Sequence, residues 1–385
     1  MELKKYKLAD IAKIEISGVD KKTMDGETHV RLCNFVDVYY NWAITKEKAK
    51  SFMVASAKQT EIDKCSIGKG MVAITKDSET RDDIGVATYI ADNFENVVLG
   101  YHCALIAPNS AIVDGKYLNA FMHTCYIQKY FENNASGSGQ RYTLSNDTIG
   151  NIPVLLPSIE EQHIIGKVLA DIDRKIELNK QINDNLEAQL RLITSRYIFS
   201  CPNLEKKRIG EIATVKAGGD CPITFSKTRT QKCNIPIFSN GTEDRGLYGF
   251  TNKAKIEGHS ITVAARGTIG YCERRLMPFV PIIRLLAITP KEDGAYIYLH
   301  QVIRGMKFKK NGSVQQQLTV PEISFIEIPY PHSSVLHEYN KVASPIVKMI
   351  ERNISENEIL TKLRDELLPL LMNGQATVNY HLSDD

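Results

Sequence analysis

A run of apolar positions spaced alternately four and three residues apart occupies residues 159–197. Its members are Ile165, Leu169, Ile172, Ile176, Leu186, Leu190, Ile193 and Tyr197. This a/d spacing predicts a long helix that packs against a partner helix, as in a coiled coil. The same register returns 174 residues later, at Ile346, Ile350, Leu360, Leu367 and Leu371. The chain is therefore predicted to contain two long helices with matching apolar seams.

Two asparagines interrupt each seam near its middle, at positions that also match. An antiparallel pair would bring the two midpoints together, and polar residues at seam positions fix register and orientation. The predicted helix-pairing residues are Asn179, Asn183, Asn353, Asn357, Leu186 and Leu360. The alternative is that the asparagines face solvent and each helix packs separately on its own domain.

The globular parts also follow one pattern twice. Short apolar runs rich in β-branched residues and bounded by Gly and Pro predict strands in both halves: MVAIT and VVLGYHCALIAP in the first, ITVAARG and FVPIIRLLAITP in the second. Helix-period segments follow at 117–131 and 296–308, and each leads into a loop containing Gly and Ser. The openings of the two halves are 201 residues apart and their ends 174, so the first globular part is 27 residues longer. Two globular parts with a shared frame and different interiors suit a protein that recognises two different targets.

These elements predict an α+β fold with a pseudo-twofold internal repeat. Two globular mixed α/β domains are separated by two long helices that form an antiparallel coiled coil. The predicted segments are domain 1 at 1–157, the central helix at 158–200, domain 2 at 201–331, and the C-terminal helix and tail at 332–385. At the start of the second helix, Ser344 and Pro345 are interpreted as its N-cap and first residue.

Composition narrows the classes of function. Lys and Arg number 48 against 45 Asp and Glu, so any nucleic-acid surface must arise from local segregation of charge. The longest apolar run, 277–288, is too short to span a membrane and contains Arg284. The eight cysteines show no CxxC spacing, which predicts reduced thiols, no metal site and a cytoplasmic protein.

The best candidates for binding DNA are the two loops that contain Gly and Ser. Their hydroxyl, amide and guanidinium groups are types that bond phosphates and base edges. The candidates are Ser138, Gln140, Arg141 and Tyr142 in the first half and Ser313, Gln315 and Gln316 in the second. The alternative is a polar loop that only joins a helix to a strand.

Further candidates lie in turns and basic loops, namely Arg266, Thr268, Lys227, Arg229 and Lys309. A turn or a solvated surface is the competing interpretation of these residues. The sequence contains no Walker P-loop and no GxGxxG after a predicted strand. No catalytic, cofactor-binding or metal-binding residue is therefore predicted in this chain.

The order domain, helix, domain, helix resembles the specificity (S) subunit of type I restriction–modification enzymes. The phrases LSNDTIGNIPVLLPSIEEQ, QQLTVPEISFIEIPYP and LLPLLMNGQ carry the same resemblance. It implies that each domain is a target-recognition domain for one half of a bipartite site in double-stranded DNA. It also implies that the helices set the spacer and dock two methyltransferase subunits, and that motor-nuclease subunits join the complex. S-adenosylmethionine, ATP and Mg²⁺ would then bind to those partners.

Two other functions remain open at this point. The chain could be a standalone DNA-modifying or DNA-cleaving enzyme with an unrecognised site, in which case it would turn over alone. It could instead be a coiled-coil adaptor that binds only proteins, in which case no complex containing it would discriminate DNA sequences.

Overall fold

The computed structural model describes residues 2–137, 139–201, 204–308 and 317–378. These residues form two compact units. Unit 1 contains the described residues up to Asn179 and those from Ser355 onward, and unit 2 contains those within Lys180–Ile354. Each long helix therefore contributes one part to each unit. The domain boundaries at 157, 200 and 331 treat the helices as separate segments, and they stay a prediction.

The first half of the chain is an alternation of short strands and helices that ends in one long helix. In chain order its elements are β1 (Lys4–Lys7), α1 (Leu8–Ile11), β2 (Ala12–Ile16), β3 (Thr28–Cys33), α2 (Phe35–Tyr39), β4 (Ala43–Ile44), α3 (Lys46–Ala49), β5 (Met53–Ala57), α4 (Gln59–Cys65), β6 (Val72–Thr75), β7 (Asp77–Ser78), β8 (Ala87–Ile90), β9 (Val97–Leu99), β10 (Cys103–Pro108), α5 (Gly115–Met122), α6 (Cys125–Asn134), β11 (Ser136–Gly137), β12 (Tyr142–Thr143), α7 (Asn146–Gly150), β13 (Pro153–Leu156) and α8 (Ile159–Thr194).

The second half has the same plan with fewer elements. A π-helical turn (Ser195–Phe199) leads into it. Its elements are β14 (Glu205–Arg208), α9 (Ile209–Ile212), β15 (Ala213–Ala217), β16 (Ile235–Phe238), a 3-10 turn (Glu243–Gly246), β17 (Leu247–Thr251), β18 (Ser260–Val263), β19 (Cys272–Arg275), β20 (Val280–Pro281), β21 (Leu286–Pro290), α10 (Ala295–Arg304), α11 (Val320–Ser324), β22 (Glu327–Tyr330) and α12 (Ser333–Met372).

The sheets of the two units share one topology. The main sheet has the order β2-β10-β6-β8-β4 in unit 1 and β15-β21-β18-β19 in unit 2. A second sheet places a central strand between an antiparallel and a parallel neighbour, as β5-β3-β9 and as β17-β16-β20. The first strand of each half pairs antiparallel with the last, in the same register: Lys4 lies opposite Leu156 and Glu205 opposite Tyr330. The repeat inferred from spacing is thus a repeat of strand order and register.

The first half is longer partly because of one insertion. Between β3 and β5 it carries α2, β4 and α3, whereas a 3-10 turn alone joins β16 to β17 in the second half. Asn34 begins α2, and its side-chain oxygen accepts a hydrogen bond from Phe35 N at 2.8 Å. The insertion therefore adds β4 to the edge of the main sheet of unit 1, where it pairs parallel with β8, and the other four strands match the main sheet of unit 2.

Each unit closes its main core with the long helices. In unit 1 the side chains Ile74, Phe121 and Leu169 belong to one buried cluster that also contains Leu368 and Leu371 of α12. In unit 2 the corresponding cluster lies under α10 and includes residues of both long helices, Leu190, Leu336, Tyr339 and Val347. Burying such side chains contributes about 1.5–3 kcal/mol each. The helices are therefore structural parts of both units.

The asparagines make hydrogen bonds between α8 and α12. In unit 1, Asn179 Nδ2 donates to Asn357 Oδ1 at 2.9 Å, and Asn357 donates to the carbonyl of Ile176. In unit 2, Asn353 Nδ2 donates to Asn183 Oδ1 at 2.8 Å, and Asn183 donates to the carbonyl of Ile350. In both units the residue numbers rise along one helix as they fall along the other, so the helices pack antiparallel.

The remaining two helix-pairing candidates differ in burial. Leu186 is buried, whereas Leu360 is half-buried. The predicted fold class, two mixed α/β domains with two long helices packed together, is confirmed.

Two helix boundaries differ from the sequence prediction. The segment 117–131 is not one helix, because α5 ends at Met122 and Thr124 caps a separate helix α6. Ser344 and Pro345 are not the start of the second long helix, since α12 begins at Ser333 and runs through them. Ala343 and Val347 are fully buried on either side of the proline. Their packing outweighs the one backbone hydrogen bond that a proline removes.

Within the described part of the chain, no helix combines the length and apolarity needed to cross a membrane.

Candidate nucleic-acid interface

A polar cleft of about 550 Å³ opens in unit 1 beside the loop that contains Gln140 and Arg141. It is lined by Phe35, Asp77, Ser78, Glu79, Thr80, Asp83, His102, Gln140 and Arg141. The short sheet β11-β12-β7 forms its border, since Tyr142 pairs with Ser78 and Thr143 with Asp77. Two predicted contact residues therefore lie in one cleft. Ser138 lies outside the described residues.

Arg141 is held by His102, His102 by Asp77, and Asp77 by Lys76. His102 Nδ1 lies 2.7 Å from Asp77 Oδ2, and Arg141 Nη2 lies 3.3 Å from Nε2 of the same ring. An arginine only donates, so Nε2 accepts from Arg141 while Nδ1 donates to Asp77. Asp77 also accepts from Lys76 Nζ at 3.0 Å. Arg141 thus has a defined position at the surface.

The charge of Asp77 is maintained by its hydrogen bonds. Burial alone would raise the pKa of Asp77, but hydrogen bonds from Thr143, His102 and Lys76 outweigh burial and lower the pKa below the ordinary value for aspartate. An ionised Asp77 is therefore available at neutral pH as the fixed acceptor of this cluster.

Tyr142 lies on the other side of the same hairpin. The guanidinium carbon of Arg81 lies 5.0 Å from the centre of its ring, which is a cation–π contact. The tyrosine is half-buried and packs against the core of unit 1. Gly139 has φ +87°, and a Cβ there would meet no atom of the described residues within 4 Å.

In unit 2 the predicted contact residues Arg266 and Thr268 lie in the exposed loop after β18. The guanidinium of Arg266 donates to Gln317 Oε1 at 2.7 Å. Asn240 supports the base of this loop, because its Oδ1 accepts from the backbone N of Ala265 at 2.7 Å. Arg266 and Thr268 are exposed. Four further candidates lie outside the described residues: Lys309, Ser313, Gln315 and Gln316.

A second group in unit 2 surrounds Lys227. Its Nζ lies 4.5 Å from the centre of the Tyr248 ring and 5.8 Å from that of Phe225. Both rings are more than one-third exposed, and so is the neighbouring Arg229. The group therefore combines positive charge with accessible aromatic surface.

The sequence analysis missed two charged networks that fasten the main sheet of unit 2 to the long helices. Arg274 of β19, 4% exposed, pairs with Glu187 of α8, which also accepts from Arg304 at 2.9 Å. Arg245 joins Glu273 of β19 to Glu351 of α12, at 2.8 and 3.2 Å. The run CERR inside a strand was the available signal, because consecutive charges in a buried strand need partners.

The described residues contain no group of three or more His, Cys, Asp or Glu side chains arranged to hold a metal ion. All eight cysteines are free thiols.

Comparisons with known proteins point to one family. A family model described as the type I restriction modification DNA specificity domain matches residues 1–188 and again residues 203–368. The two matches follow the internal repeat.

Individual relatives are more distant. A type I specificity subunit of Mycoplasma pneumoniae is 32% identical over 155 residues, 39% of this chain and 46% of that protein. The alignment with a second M. pneumoniae specificity subunit spans 59% of its length. The type I restriction enzyme HindI specificity subunit of Haemophilus influenzae is 22% identical over 391 aligned positions, covering 77% of this chain and 85% of that protein.

The crystal structure of a type I restriction–modification system S subunit from M. genitalium superposes with a TM-score of 0.63. The sequence identity is 14%, and the match covers 96% of each chain. A likeness at this identity concerns the fold alone.

Proposed function

Because the chain belongs to the family of type I restriction–modification DNA specificity subunits, we propose that each of its two domains reads one half of a bipartite DNA site. As a specificity subunit it is a non-catalytic component of the restriction–modification complex. Methylation of adenine with S-adenosylmethionine, and cleavage driven by ATP with Mg²⁺, are then the work of methyltransferase and motor-nuclease subunits. Its own contribution is sequence recognition and assembly.

The observation that carries the proposal is one frame built twice with different surface loops. The main sheets share strand order, and the terminal strands share register. The loops that follow matching strands differ in length and chemistry: residues 76–86 follow β6, and residues 264–271, which contain Arg266 and Thr268, follow β18. A common support with dissimilar contacts is what the recognition of two dissimilar half-sites requires.

Candidate DNA contacts follow from the charge of these loops. The guanidinium groups of Arg141 and Arg266 are each held by a hydrogen bond to a neighbouring side chain. A guanidinium held in this way suits a bidentate contact to guanine or a bond to phosphate. Lys227 and Arg229 add positive charge beside exposed rings. With a net charge of only +3, such local groups must supply the attraction to DNA.

We further propose that α8 and α12 dock the methyltransferase subunits. Their surfaces keep large apolar side chains exposed at Leu178, Ile182, Leu192, Val342, Met349, Ile359 and Leu363. Exposed apolar side chains on helices that already pair with each other are typical of surfaces that bind another protein. Motor-nuclease subunits would join through the assembled complex.

The test is a domain exchange in the reconstituted complex. The chain is expressed with its methyltransferase partner, and the methylated sequence is determined by sequencing modified adenines. Replacing residues 1–157 by the equivalent domain of a relative should change one half of the methylated site and leave the other half intact. A change in both halves, or in neither, contradicts the proposal. Turnover by the chain alone on DNA would favour an enzyme instead.

The spacer role has its own test. Seven residues are added to each helix, after Lys180 and after Ser355, which lie between the two asparagine pairs. One heptad keeps the apolar seams in phase and lengthens each helix by about 10 Å. The non-specific spacer should grow by about three base pairs, at about 3.4 Å each. An unchanged spacer would rule out a measuring role for the helices.

A further inference from the structure

One tight turn occurs in both units at the same place in the frame. In unit 1 it joins β9 to β10, and the backbone N of Cys103 donates to the carbonyl of Gly100 at 3.2 Å. In unit 2 it joins β20 to β21, and the backbone N of Leu285 donates to the carbonyl of Ile282 at 3.0 Å. The two turns are 182 residues apart, as are the last residues of the strands that follow them, Pro108 and Pro290.

The same two backbone bonds hold each turn to the rest of its unit. The first residue donates to the end of the central strand of the second sheet: Gly100 to the carbonyl of Cys33, and Ile282 to that of Phe238. The second residue donates to the loop that follows the first strand of the main sheet, from Tyr101 to Val19 and from Ile283 to Gly219, each at 2.9 Å. The turn is thus a fixed part of the repeated frame.

In unit 2 the turn is strained. Ile283 has φ +51° and Arg284 φ +62°, a conformation that β-branched and long side chains rarely adopt. Additional bonds hold it: Arg284 N donates to the carbonyl of Gly218 at 3.0 Å, and Asn240 Nδ2 donates to that of Ile283 at 2.6 Å. A turn with two left-handed residues favours Asn and Gly. Strained side chains held by their surroundings cluster at functional sites.

Both turns present an apolar side chain followed by a nitrogen-containing one. Tyr101 is 49% exposed and Ile283 48%. His102 and Arg284 come next, and they differ between the units in the groups they offer to a ligand. The backbone hydrogen bonds of the two turns are the same, whereas their exposed side chains differ. The loops proposed to contact DNA differ in the same way.

Each turn also adjoins the proposed DNA contacts of its own unit. His102 supports Arg141 directly, because its Nε2 accepts from Arg141 Nη2 at 3.3 Å. In unit 2, Asn240 bonds both Ile283 and Ala265, the residue before Arg266. One side chain thus links the strained turn to the loop that carries Arg266.

Resting on the proposed function, we propose that these two turns are base-contacting tips, one for each half of the DNA site. Tyr101 serves one half, with His102 holding Arg141, and Ile283 and Arg284 serve the other. The aliphatic Ile283 fits a thymine methyl group or the gap between neighbouring base pairs, and Arg284 fits the acceptor edge of guanine. Tyr101 supplies a flat face for apolar contact.

The test uses the complex of the full chain with its methyltransferase partner. Three variants are compared with wild type: Arg284→Ala, Tyr101→Ala and Met277→Ala. Met277 is the matched control, since it is 53% exposed in unit 2 but lies outside the turn. The readouts are the consensus of methylated sites and the binding of duplexes with single base-pair changes.

Arg284→Ala should relax the consensus at one or two positions in one half of the site, with discrimination there reduced about tenfold to a hundredfold. Tyr101→Ala should weaken the other half only, and Met277→Ala should change neither half. If wild type methylates a bipartite consensus and neither turn variant alters it, the inference is overturned while the proposed function stands. If wild type shows no bipartite consensus, the proposed function itself fails.

A double variant separates a binding role from a structural one. Ile283→Asn with Arg284→Gly gives the turn the residues that its backbone favours, so the melting temperature should rise by about 2–4 °C. Discrimination in the same half-site should nevertheless fall. A double variant with a higher melting temperature and unchanged discrimination would show that the turn does not contact DNA.

Discussion

Asn353 donates a hydrogen bond from Nδ2 to Oδ1 of Asn183 over 2.8 Å. The partner residues that match them in the repeat, Asn179 and Asn357, make the same bond over 2.9 Å. In each pair the accepting asparagine donates in turn to a backbone carbonyl of the opposite helix. Only one antiparallel register satisfies both pairs, so four amide groups specify how α8 and α12 align.

Removing one member of an asparagine pair should destabilise the helix pair. Asn183→Ala leaves the amide of Asn353 without its acceptor in a half-buried position, at a cost of about 1–2 kcal/mol. Replacing both Asn183 and Asn353 by Leu should recover most of that loss, because two apolar side chains replace a satisfied polar pair. Urea unfolding followed by circular dichroism measures both variants.

Gln189 provides the control for this experiment. It is exposed on α8, and Gln189→Ala should change the free energy of unfolding by less than about 0.5 kcal/mol. The asparagines would not act as a pair if the double Leu variant lost as much free energy of unfolding as Asn183→Ala and Asn353→Ala lose together.

The helix pair could be predicted because its signal is local. Seam residues such as Ile176 and Ile350 recur at fixed spacing, and the matching asparagines break the pattern at one point. The helix boundary at Thr124 is harder to predict, because the break depends on how Phe121 and Ile127 are buried in the core. Pro345 gave a local signal for a helix start that tertiary packing overrides.

The candidate site could be predicted only in part. Gln140 and Arg141 follow from loop composition, but the cleft depends on Asp77 and His102, which only the folded chain brings next to them. The turn at Ile283 lies inside an apolar run that is typical of a strand. Its left-handed backbone is set by the hydrogen bond that Ile283 N donates to the carbonyl of Gly219 and by the one that Asn240 donates to the carbonyl of Ile283. Contacts between residues far apart in the sequence produce no periodic pattern from which they could be predicted.

The pairing of Glu187 with Arg274 should make a large contribution to the stability of unit 2. Glu187→Gln leaves the guanidinium of Arg274 buried without a counter-charge, and breaking a buried pair in this way costs about 3–5 kcal/mol. Chemical unfolding should therefore show a lower midpoint. Because Arg304 and Gln301 also bond Glu187, the loss should fall toward the upper part of that range.

An exposed ion pair on α12 serves as the comparison. Glu338 and Lys341 lie 2.7 Å apart with more than half of each side chain exposed. Glu338→Gln should change stability by less than about 0.5 kcal/mol. Equal effects of Glu187→Gln and Glu338→Gln would show that the network around Arg274 contributes nothing beyond a surface pair.

Gly85 should tolerate no larger residue. It has φ +82°, and a Cβ there would lie 2.2 Å from the ring of the buried Phe131. Gly26 has nearly the same backbone, φ +85°, with open space around it. Gly26→Ala should cost about 1 kcal/mol from backbone strain alone, and Gly85→Ala about 2 kcal/mol more from the steric conflict. The difference in stability between the two variants, measured by thermal unfolding, gives the cost of the steric conflict. Equal losses of stability would show that Phe131 does not lie against Gly85.

The stability of unit 1 should fall in mild acid because of His123. Its ring stacks on Trp42 at 4.1 Å, and its buried Nε2 has no hydrogen-bond partner among the described residues. Burial, reinforced by the nearby positive charge of Arg364, lowers the pKa of His123 from 6.5 to about 4. The unfolded chain therefore takes up a proton between these values while the folded chain does not.

The sign and size of the effect follow from this difference. The contribution of His123 is fully present above about pH 6.5 and is lost as the pH falls toward 4, by about 2 kcal/mol at pH 5. His123→Phe keeps an aromatic ring on Trp42 and removes the titration, so its stability should fall less than that of wild type between pH 7 and pH 5. Burial also lowers the pKa of His300 well below 6.5. The stability of both proteins therefore still depends on pH to some extent. Replacing the exposed His29 by Gln is the control and should leave the wild-type slope unchanged. Parallel pH profiles for wild type and His123→Phe in urea unfolding would show that His123 is protonated in the folded protein.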